Sequence, residues 1–163
     1  MYKVSLAIPI YNVSLFVERA LLSVLNQTYD NIEYLIVDDK GQDDSMDIVH
    51  RIIKDHPRGK DVRIIEHPYN IGLGATRNTA IDNAQGEYLF FMDSDDEIIP
   101  TCIEILVHKM QEHPVDFIAA SHMKKDLSGK TYPTYTYSPI LIQGDDLPVA
   151  QYRYAQNNDI YVM

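Results

Sequence analysis

The chain has 163 residues, of which 45% are apolar, and its 14 basic and 24 acidic side chains give a formal net charge of -10. This length and composition predict a globular protein with a buried core, and the negative charge argues against nucleic acid as a partner because it would repel the phosphate backbone. The single cysteine, Cys102, excludes an internal disulfide, and the sequence shows no leader peptide and no apolar run of about 20 residues. We therefore expect a cytoplasmic protein without a membrane span, for which any membrane contact would be peripheral.

Short apolar runs alternate with amphipathic segments from the start of the chain. Residues 3–9 (KVSLAIP) predict a first strand that ends at proline. The helix that follows is predicted to be capped by Ser14, because apolar side chains then recur every three or four residues. Residues 32–38 (IEYLIVD) predict a second strand, and a second helix is predicted to begin at Ser45 after a polar turn.

The same alternation continues through the middle of the chain. Residues 62–67 and 87–92 predict a third and a fourth strand, separated by a glycine-bearing loop and a helix of small residues over 75–84. A further helix follows Pro100, and residues 115–121 (VDFIAAS) predict a fifth strand. Strands and helices in this order form βαβ units, so the predicted fold class is α/β, a mostly parallel sheet with helices on both faces.

The pattern changes after residue 121. Ser128-Gly129 is typical of a hairpin turn, and the tyrosines and threonines around it favour strands, which predicts a small C-terminal hairpin or flap. Residues 143–156 are predicted to form one more helix. We therefore divide the chain into an α/β core, residues 1–121, and a flap region, residues 122–163, that begins a further portion.

The segments that follow the predicted strands carry polar or charged side chains where the apolar pattern stops. Ligands of an open parallel sheet bind in the crevice outside the carboxyl ends of its strands. Since the topology brings these segments to one edge of the sheet, we expect a binding site there. They are Pro9-Ile10-Tyr11-Asn12, Asp38-Asp39, residues 70–78 (NIGLGATRN) and Asp93-Ser94-Asp95.

Asp93 and Asp95 follow the fourth predicted strand with one residue between them. Two carboxylates in this arrangement can face one hard divalent cation, Mn²⁺ or Mg²⁺, and in an acidic chain such a cation would connect the site to a phosphate-bearing ligand. An acidic turn that only faces solvent is the alternative. Because clustered carboxylates at a strand end repel one another unless they are solvated, protonated or metal-bound, we favour the metal site.

Four other side chains near this edge have both a functional and a structural interpretation. Asp39 is expected to accept hydrogen bonds from a ribose hydroxyl or a base N–H, whereas Asp38 is expected to cap the turn that follows. Tyr11 could stack on a nucleobase. A packing role is the alternative, and it is favoured because most of the 12 tyrosines of the chain are expected to pack in the fold. Arg77 could pair with a phosphate or form a structural salt bridge with a nearby aspartate.

Two other patterns predict no chemistry. Gly72-x-Gly74 follows the third strand, and Arg77 stands where the dinucleotide-binding fingerprint G-x-G-x-x-G needs its last glycine. The six histidines show neither zinc-ligand spacing nor a partner nucleophile, so they are predicted to be surface or capping residues. They are His50, His56, His67, His108, His113 and His122.

Four stretches taken together resemble the family 2 glycosyltransferases of the GT-A fold, and the likeness covers roughly residues 3–120. They are SLAIPIYN, LLSVLNQTYDNIEYLIVDD, NIGLGATRNTAI and GEYLFFMDSDD. The resemblance implies that Pro9, Tyr11 and Asp39 hold a uracil-type base, and that Asp93 and Asp95 hold the ribose and the metal. The predicted nucleotide-sugar-binding residues are Pro9, Tyr11, Asn12, Asp39, Arg77, Asp93 and Ser94, and the predicted metal ligands are Asp93 and Asp95.

The resemblance also implies an activity. A sugar would move from a nucleoside diphosphate sugar, usually UDP-linked, to a hydroxyl group of a glycan or glycolipid acceptor, with inversion at the anomeric carbon. In this family inversion uses a carboxylate base from an acidic motif after the flap region. Asp145-Asp146 and Asp159 lack the aromatic surroundings of that motif, so the base is expected to lie beyond residue 163 in a longer enzyme, together with the acceptor-binding portion.

Three alternatives compete with this interpretation. A short relative could bind the donor without transferring the sugar. A nucleotidyltransferase would need a glycine-rich, basic loop for a triphosphate, where this chain has Ile10-Tyr11-Asn12-Val13. A phosphorylation-receiver domain could hold Mg²⁺ with Asp38-Asp39 but would leave Asp93-Ser94-Asp95 unexplained. The sequence favours the glycosyltransferase and identifies neither the sugar, the acceptor nor the oligomeric state.

Overall fold

The computed structural model describes residues 1–113, 115–118, 120, 122–126 and 128–133, which fall into two units divided after residue 114. No helix in this described part of the chain is both long and apolar enough to span a bilayer. The first unit contains, in chain order, β1 (Val4–Ile10), α1 (Val17–Leu25), β2 (Ile32–Asp38), α2 (Ser45–Asp55), a 3-10 turn (Gly59–Asp61), β3 (Val62–Glu66), α3 (Leu73–Asn83), β4 (Tyr88–Phe91) and α4 (Cys102–Glu112). The second unit contains β5 (Met123–Lys125) and β6 (Thr131–Pro133).

Strands β1 to β4 form one parallel sheet in the order β3-β2-β1-β4. Successive side chains along a strand point to opposite faces, so the sheet has two packing surfaces. One surface, which includes Leu6 and Ile36, packs against buried side chains of α1, α2 and α4. The other, which includes Ala7 and Leu35, packs against Ala80 of α3. Helices therefore lie on both faces, which confirms the predicted α/β class.

The two central strands are buried along nearly their whole length. All residues of β2 are buried, and in β1 only Pro9 is partly exposed. Strands covered on both faces have continuous rather than alternating apolar sequences. This is why the apolar run over 32–38 predicted the bounds of β2 as they are observed.

The sheet has a switch point at β1, because β2 and β3 lie on one side of this strand and β4 on the other. The β1–β4 ladder ends where the N–H of Met92 donates to the carbonyl of Ala7 at 3.0 Å. Pro9, two residues further along the same side of β1, has no N–H to donate, so the ladder cannot continue. Since open parallel sheets bind their ligands at such a switch point, we expect the ligand crevice between the ends of β1 and β4.

Two predicted elements differ from the structure. The predicted Ser14 cap is wrong, since helix α1 begins at Val17 with Phe16 at the N-cap position and no side-chain cap. The helix start is closed by backbone bonds instead, because the N–H groups of Phe16 and Val17 donate to the Val13 carbonyl, while Ser14 contacts Asp43 in the loop after β2. The strand predicted over 115–121 is wrong for residues 115–118 and 120, which are in no strand; Phe117 is exposed instead of packing into a sheet. The helix predicted over 143–156 lies outside the described residues.

The second unit contains the predicted hairpin. Strands β5 and β6 pair antiparallel, and Gly129 in the turn between them has φ of +84°, which glycine adopts without a Cβ clash. The Asp126 carboxylate closes the turn by accepting hydrogen bonds from the N–H groups of Ser128 (2.9 Å) and Lys130 (3.1 Å). The prediction of a Ser128-Gly129 hairpin is confirmed, whereas the domain boundary at residue 121 stays a prediction.

A buried carboxylate braces the sheet at the edge opposite the crevice. Glu33, near the start of β2, accepts hydrogen bonds from the hydroxyl of Ser5 in β1 and from the N–H of Gln85 at 2.5 Å. Burial raises the pKa of Glu33, but these hydrogen bonds and the nearby Lys3 ammonium together lower it below its ordinary value. The side chain is 8% exposed and links both central strands to the segment before β4.

Candidate functional site

The segment after β1 is held against the loop after β2 by the side chain of Asn12. Asn12 has φ of +52°, and its Oδ1 accepts a hydrogen bond from the N–H of Gln42 at 2.7 Å. Gly41 packs closely against Asn12, and a Cβ added at this glycine would lie only 2.8 Å from the backbone nitrogen of Asn12. The neighbouring Tyr11 side chain is 47% exposed at this edge of the sheet. Its ring is thus accessible on a fixed backbone.

A second set of hydrogen bonds joins the same two loops. The N–H of Val13 donates to Ser45 Oγ at 2.8 Å, and the N–H of Ser14 donates to Asp43 Oδ2 at 2.8 Å. Burial raises the pKa of Asp43, but the hydrogen bonds from Ser45 and Ser14 outweigh it and lower the pKa to about 2. Asp43 is therefore ionised at neutral pH and fixes the loop geometry.

Asp38 caps the turn after β2, in agreement with the sequence interpretation. Its Oδ1 accepts the N–H of Lys40 at 2.8 Å, the short-range bond typical of an Asx turn. Its Oδ2 lies 3.2 Å from Lys40 Nζ, which also pairs with Glu66 at 2.6 Å. The Asp38 carboxylate is thus engaged by Lys40 in its own turn, and Lys40 in turn contacts the end of β3 through Glu66.

The neighbouring Asp39 organises the loop between β3 and α3. Its side chain is 3% exposed and accepts four hydrogen bonds. Oδ1 accepts from His67 Nδ1 at 2.7 Å and from the Ile71 N–H at 2.9 Å, and Oδ2 accepts from Asn70 Nδ2 at 2.8 Å and from the Gly72 N–H at 3.0 Å. A carboxylate has about four acceptor positions, so all of those of Asp39 are in use.

The electrostatics of Asp39 follow from these contacts. Burial raises its pKa, but the hydrogen bonds from His67, Ile71 and Gly72 outweigh this effect and lower the pKa below its ordinary value. Gly72 is the N-cap residue of α3, with φ of +87°, so the ionised carboxylate sits at the positive end of that helix. A phosphate would find this helix start already occupied.

His67 is not a surface residue, so the sequence interpretation was wrong for this histidine. It is 6% exposed and lies between two polar partners. Nδ1 is 2.7 Å from Asp39 Oδ1, and Nε2 is 2.9 Å from Thr79 Oγ1 in α3. Because an ionised carboxylate only accepts hydrogen bonds, Nδ1 carries a hydrogen and donates it to Asp39. The other five histidines are partly or fully exposed.

The acidic segment after β4 contacts Arg77 of α3, the basic side chain expected near the site. Arg77 Nη2 donates to Asp93 Oδ1 at 2.7 Å, and both side chains are about two-fifths exposed, 39% and 41%. The Arg77 Nε is buried and has no hydrogen-bond partner among the described residues. Ser94 is buried, and Asp95 is exposed. The guanidinium therefore offers a further donor beside the carboxylates.

Asp93 and Asp95 of this segment are the predicted metal ligands. No group of three or more His, Cys, Asp or Glu side chains in the described ranges is placed to hold a metal ion. Mg²⁺ in phosphate-binding sites takes one or two protein carboxylates and completes its shell with phosphate oxygens and water, and Mn²⁺ favours the same oxygen ligands. Asp93 and Asp95 supply that kind of donor set, which predicts weak binding of a cation alone.

The chain after this acidic segment is attached to α1 by a buried glutamine. Gln27 is 2% exposed; its Nε2 donates to the carbonyls of Ser23 (3.0 Å) and Ile99 (2.8 Å), and its Oε1 accepts the N–H of Ile103 at 3.0 Å. All three of these bonds are made inside the protein, where each unmade bond would cost about 1–3 kcal/mol. Gln27 thus fixes the route from β4 to α4.

The predicted site residues therefore meet at one edge of the first unit. Tyr11 and Asn12 follow β1, Asp39 follows β2, and Arg77 of α3 contacts Asp93 after β4. Their roles in binding a ligand stay predictions. The structure adds residues that the sequence did not single out as part of the site: Gln27, Asp43, Ser45, His67 and Thr79. It also gives Asn70, from the predicted segment 70–78, a contact with Asp39.

Comparison with known proteins gives matches along most of the chain. Residues 5–158 match the family described as Glycosyl transferase family 2. An uncharacterized glycosyltransferase of Haemophilus influenzae is 32% identical over 151 residues, which are 90% of this chain and 59% of that protein. The Escherichia coli protein named UDP-Glc:alpha-D-GlcNAc-diphosphoundecaprenol beta-1,3-glucosyltransferase WfaP is 37% identical over 129 residues, which are 77% of this chain and 49% of that protein. The chain thus spans less than two thirds of the length of these relatives.

Solved structures show the same architecture. S. aureus TarS 1-349 in complex with UDP-GlcNAc matches with a TM-score of 0.64 and 26% identity, over 81% of this chain and 37% of that one. The mannosyltransferase PcManGT from Pyrobaculum calidifontis, in complex with GDP-Man and Mn²⁺, matches with a TM-score of 0.55 and 26% identity, over 59% of this chain and 28% of that one. The parallel sheet and its flanking helices are therefore those of GT-A glycosyltransferases.

Proposed function

The chain belongs to the family 2 glycosyltransferases, and from this we propose that its first unit binds a UDP-linked sugar together with Mn²⁺ or Mg²⁺. The sugar would be transferred, with inversion, to a hydroxyl group of a glycan or a glycolipid. The relative from Escherichia coli supports both parts, since its name includes a UDP-linked donor and a lipid diphosphate acceptor. The complex of TarS with UDP-GlcNAc and that of PcManGT with Mn²⁺ support the donor and the metal.

The observation that carries this proposal is the position of Asp93, Asp95 and Arg77. The two aspartates follow β4 directly, beside the crevice expected at Pro9, and Arg77 contacts Asp93 there. An acidic protein that binds a diphosphate needs positive charge at that point, because the start of α3 is already occupied by Asp39. A divalent cation on the aspartates and the Arg77 guanidinium would supply it.

We assign the nucleoside to the loops after β1 and β2. The exposed Tyr11 ring would lie against the base, Asn12 would hold that loop, and the buried Ser94 would line the ribose side. For Asp39 to accept a base N–H, one of its four present donors must be replaced. The side chain of Asn70, an exposed residue, is the most easily displaced of them, since the other three are two backbone N–H groups and a buried imidazole.

The proposed chemistry divides between the leaving group and the acceptor. When bound, a divalent cation would stabilise the negative charge that develops on the departing UDP. Asp93 and Asp95 would hold it, and Arg77 would add a charge-assisted hydrogen bond to the diphosphate. Inversion further needs a carboxylate that takes the proton of the acceptor hydroxyl, and we assign no described residue to that role.

Titration of the protein with UDP tests the proposal. By calorimetry, we expect clear binding of UDP in the presence of Mn²⁺ and binding at least about tenfold weaker without it, because two like-charged partners would otherwise meet without a cation between them. GDP under the same conditions serves as the comparison for the base. Equal and weak binding of UDP with and without Mn²⁺ would contradict the proposed donor site.

No observation favours a nucleotidyltransferase. The segment after β1 lacks the glycine-rich, basic loop that would hold a triphosphate, and the family match covers residues 5–158.

The ion pair between Arg77 and Asp93 suggests how the charges rearrange when a ligand binds. Without a cation, the guanidinium is the partner of Asp93 at 2.7 Å. A cation on Asp93 would replace it there, and the released Nη2, together with the unpartnered Nε, could donate to the diphosphate. Cation and nucleotide would then each favour binding of the other.

Replacement of Arg77 with glutamine should therefore separate the two ligands. We expect Arg77→Gln to bind Mn²⁺ alone about two- to fivefold more tightly, the range for losing a half-exposed ion pair of about 0.5–1 kcal/mol, because the competing charge is gone. UDP in the presence of Mn²⁺ should bind about tenfold more weakly, because a charged hydrogen bond to the diphosphate is lost. Electron paramagnetic resonance of free Mn²⁺ measures the first effect, and calorimetry measures the second.

Arg51→Gln is the matched control for this experiment. Arg51 forms an exposed ion pair with Glu18 at 2.9 Å, between α1 and α2, so the same charge is removed outside the site. If both variants changed the two affinities equally, the effect would come from net charge alone and the proposed exchange at Asp93 would be wrong.

A further inference from the structure

His67 is a buried titratable group beside the proposed donor site to which the proposed function gives no role. This residue follows β3 and is 6% exposed. Each nitrogen of its ring has a partner in the protein: Nδ1 contacts Asp39 and Nε2 contacts Thr79. The backbone of His67 is fixed as well, since its N–H donates to the Asp38 carbonyl at 2.9 Å. An imidazole held at both ring nitrogens, on a fixed backbone, can hold other groups in place.

The contact with Asp39 is the one that reaches the proposed donor site. His67 Nδ1 shares Oδ1 of Asp39 with the N–H of Ile71, and the two bonds together fix the orientation of the carboxylate. That orientation places Oδ2 where it accepts hydrogen bonds from Asn70 and Gly72. Without the bond from Nδ1, one of the acceptor positions of a buried anion would be left unfilled, and the carboxylate could turn towards a different set of donors.

The second contact connects this carboxylate to helix α3. Thr79 Oγ1 lies 2.9 Å from Nε2 of His67 and also donates to the carbonyl of Ala75 at 3.2 Å. Arg77, on the same helix, contacts Asp93. His67 therefore lies between the carboxylate that follows β2 and the helix that carries the basic residue of the site.

We infer that His67 is a positioning residue for nucleotide binding: through the Nδ1 hydrogen bond it holds the Asp39 carboxylate in the orientation that receives the base. The inference rests on the proposed function, because it assigns Asp39 to the base. His67 itself touches neither the base nor the diphosphate in this assignment. The competing explanation is a histidine that only fills the core. It predicts that losing either ring contact changes the stability of the fold and has no separate effect on the affinity for UDP.

Two amide side chains separate these explanations. The amide of asparagine lies near the place of Nδ1, so His67→Asn keeps a donor for Asp39 and loses the contact with Thr79. The amide of glutamine lies near the place of Nε2, so His67→Gln keeps a partner for Thr79 and loses the donor for Asp39. Both variants remove the ring and bury an amide, so they should lose similar amounts of stability.

The experiment is calorimetric titration of UDP in the presence of Mn²⁺ into the 163-residue chain and the two variants, together with thermal unfolding followed by circular dichroism. We expect His67→Asn to bind UDP within about threefold of the unmodified chain, and His67→Gln to bind about tenfold more weakly, the loss expected for one hydrogen bond to a charged group. The Tm values of the two variants should be alike.

Glu33→Gln is the control for loss of stability. It changes a buried, hydrogen-bonded carboxylate at the opposite edge of the sheet, so it should lower Tm without changing the affinity for UDP. Equal affinities in both His67 variants, whether unchanged or equally reduced, or a weaker His67→Asn, would overturn the inference. If the unmodified chain itself failed to bind UDP, the proposed function would be wrong, and the inference with it. If the chain bound UDP but the two His67 variants did not differ, only the inference would be wrong.

Discussion

Replacement of Asp95 with alanine is expected to remove the Mn²⁺-dependent part of UDP binding, so that the affinity for UDP falls at least about tenfold, to that of the unmodified chain without Mn²⁺. Loss of a residue that only supports a metal ligand costs about 10- to 100-fold in metal affinity, and loss of one of two protein ligands should cost no less. Asp95 is exposed, so the free energy of unfolding should change by no more than about 0.5 kcal/mol. Calorimetry with and without Mn²⁺ measures the affinity, and urea unfolding measures the stability.

Asp55→Ala supplies the control for this variant. Asp55 is exposed and ends α2, which returns from the binding edge of the sheet to the opposite edge, so the same charge is removed far from the crevice. UDP binding by Asp55→Ala should be unchanged. If Asp95→Ala kept Mn²⁺-dependent binding, the acidic segment after β4 would be a solvated turn, and the cation would have to be held elsewhere.

The fold could be predicted from the sequence wherever burial alone decides the pattern. Strand β2 is buried on both faces, so its sequence over 32–38 is mostly apolar without the alternation of a half-exposed strand, and this run has the observed bounds. The start of α1 could not be predicted in this way. Ser14 is a residue type that often caps helices, but it contacts Asp43, 29 residues away in sequence, and the helix begins three residues later, at Val17.

The position of the site could be predicted because strand ends are visible in the sequence, whereas the partners of its side chains could not. Arg77 was expected near either a phosphate or an aspartate, and only the structure shows the contact with Asp93. His67 was misjudged because a single histidine gives no sign of a partner 28 residues away. Its place directly after β3, equivalent to that of Asp39 after β2, was the available signal.

Asp39 connects the stability of the fold to its proposed function, because one carboxylate both closes the β3–α3 loop and is assigned to the base. Replacement with alanine leaves the N–H groups of Ile71 and Gly72 and the imidazole of His67 without their acceptor. Each lost bond costs about 1–3 kcal/mol when the donor stays buried, and water can reach part of this loop, since residues 68–71 are exposed. We expect the free energy of unfolding to fall by about 2–4 kcal/mol.

The dependence on pH has a definite sign. The pKa of Asp39 is lowered in the folded protein, so its contribution to stability is complete above the ordinary aspartate pKa of about 4 and is lost as the pH falls through the folded value. The difference in stability between the unmodified chain and Asp39→Ala should therefore be constant near neutral pH and should shrink in acid. Urea unfolding followed by circular dichroism suits the measurement, because the chain has no tryptophan.

The same variant should bind UDP more weakly, and replacement of the neighbouring Asp38 shows whether this effect is specific to Asp39. Asp38 is also buried, but its carboxylate is engaged by Lys40 alone within its own turn. At a temperature where both variants are folded, Asp38→Ala should bind UDP in the presence of Mn²⁺ within about threefold of the unmodified chain, whereas Asp39→Ala should bind at least about tenfold more weakly, the worth of a charged hydrogen bond. Equal losses in both variants would mean that the loop after β2 acts as a whole. Equal retention would remove Asp39 from the donor site and leave it only the task of closing the loop before α3.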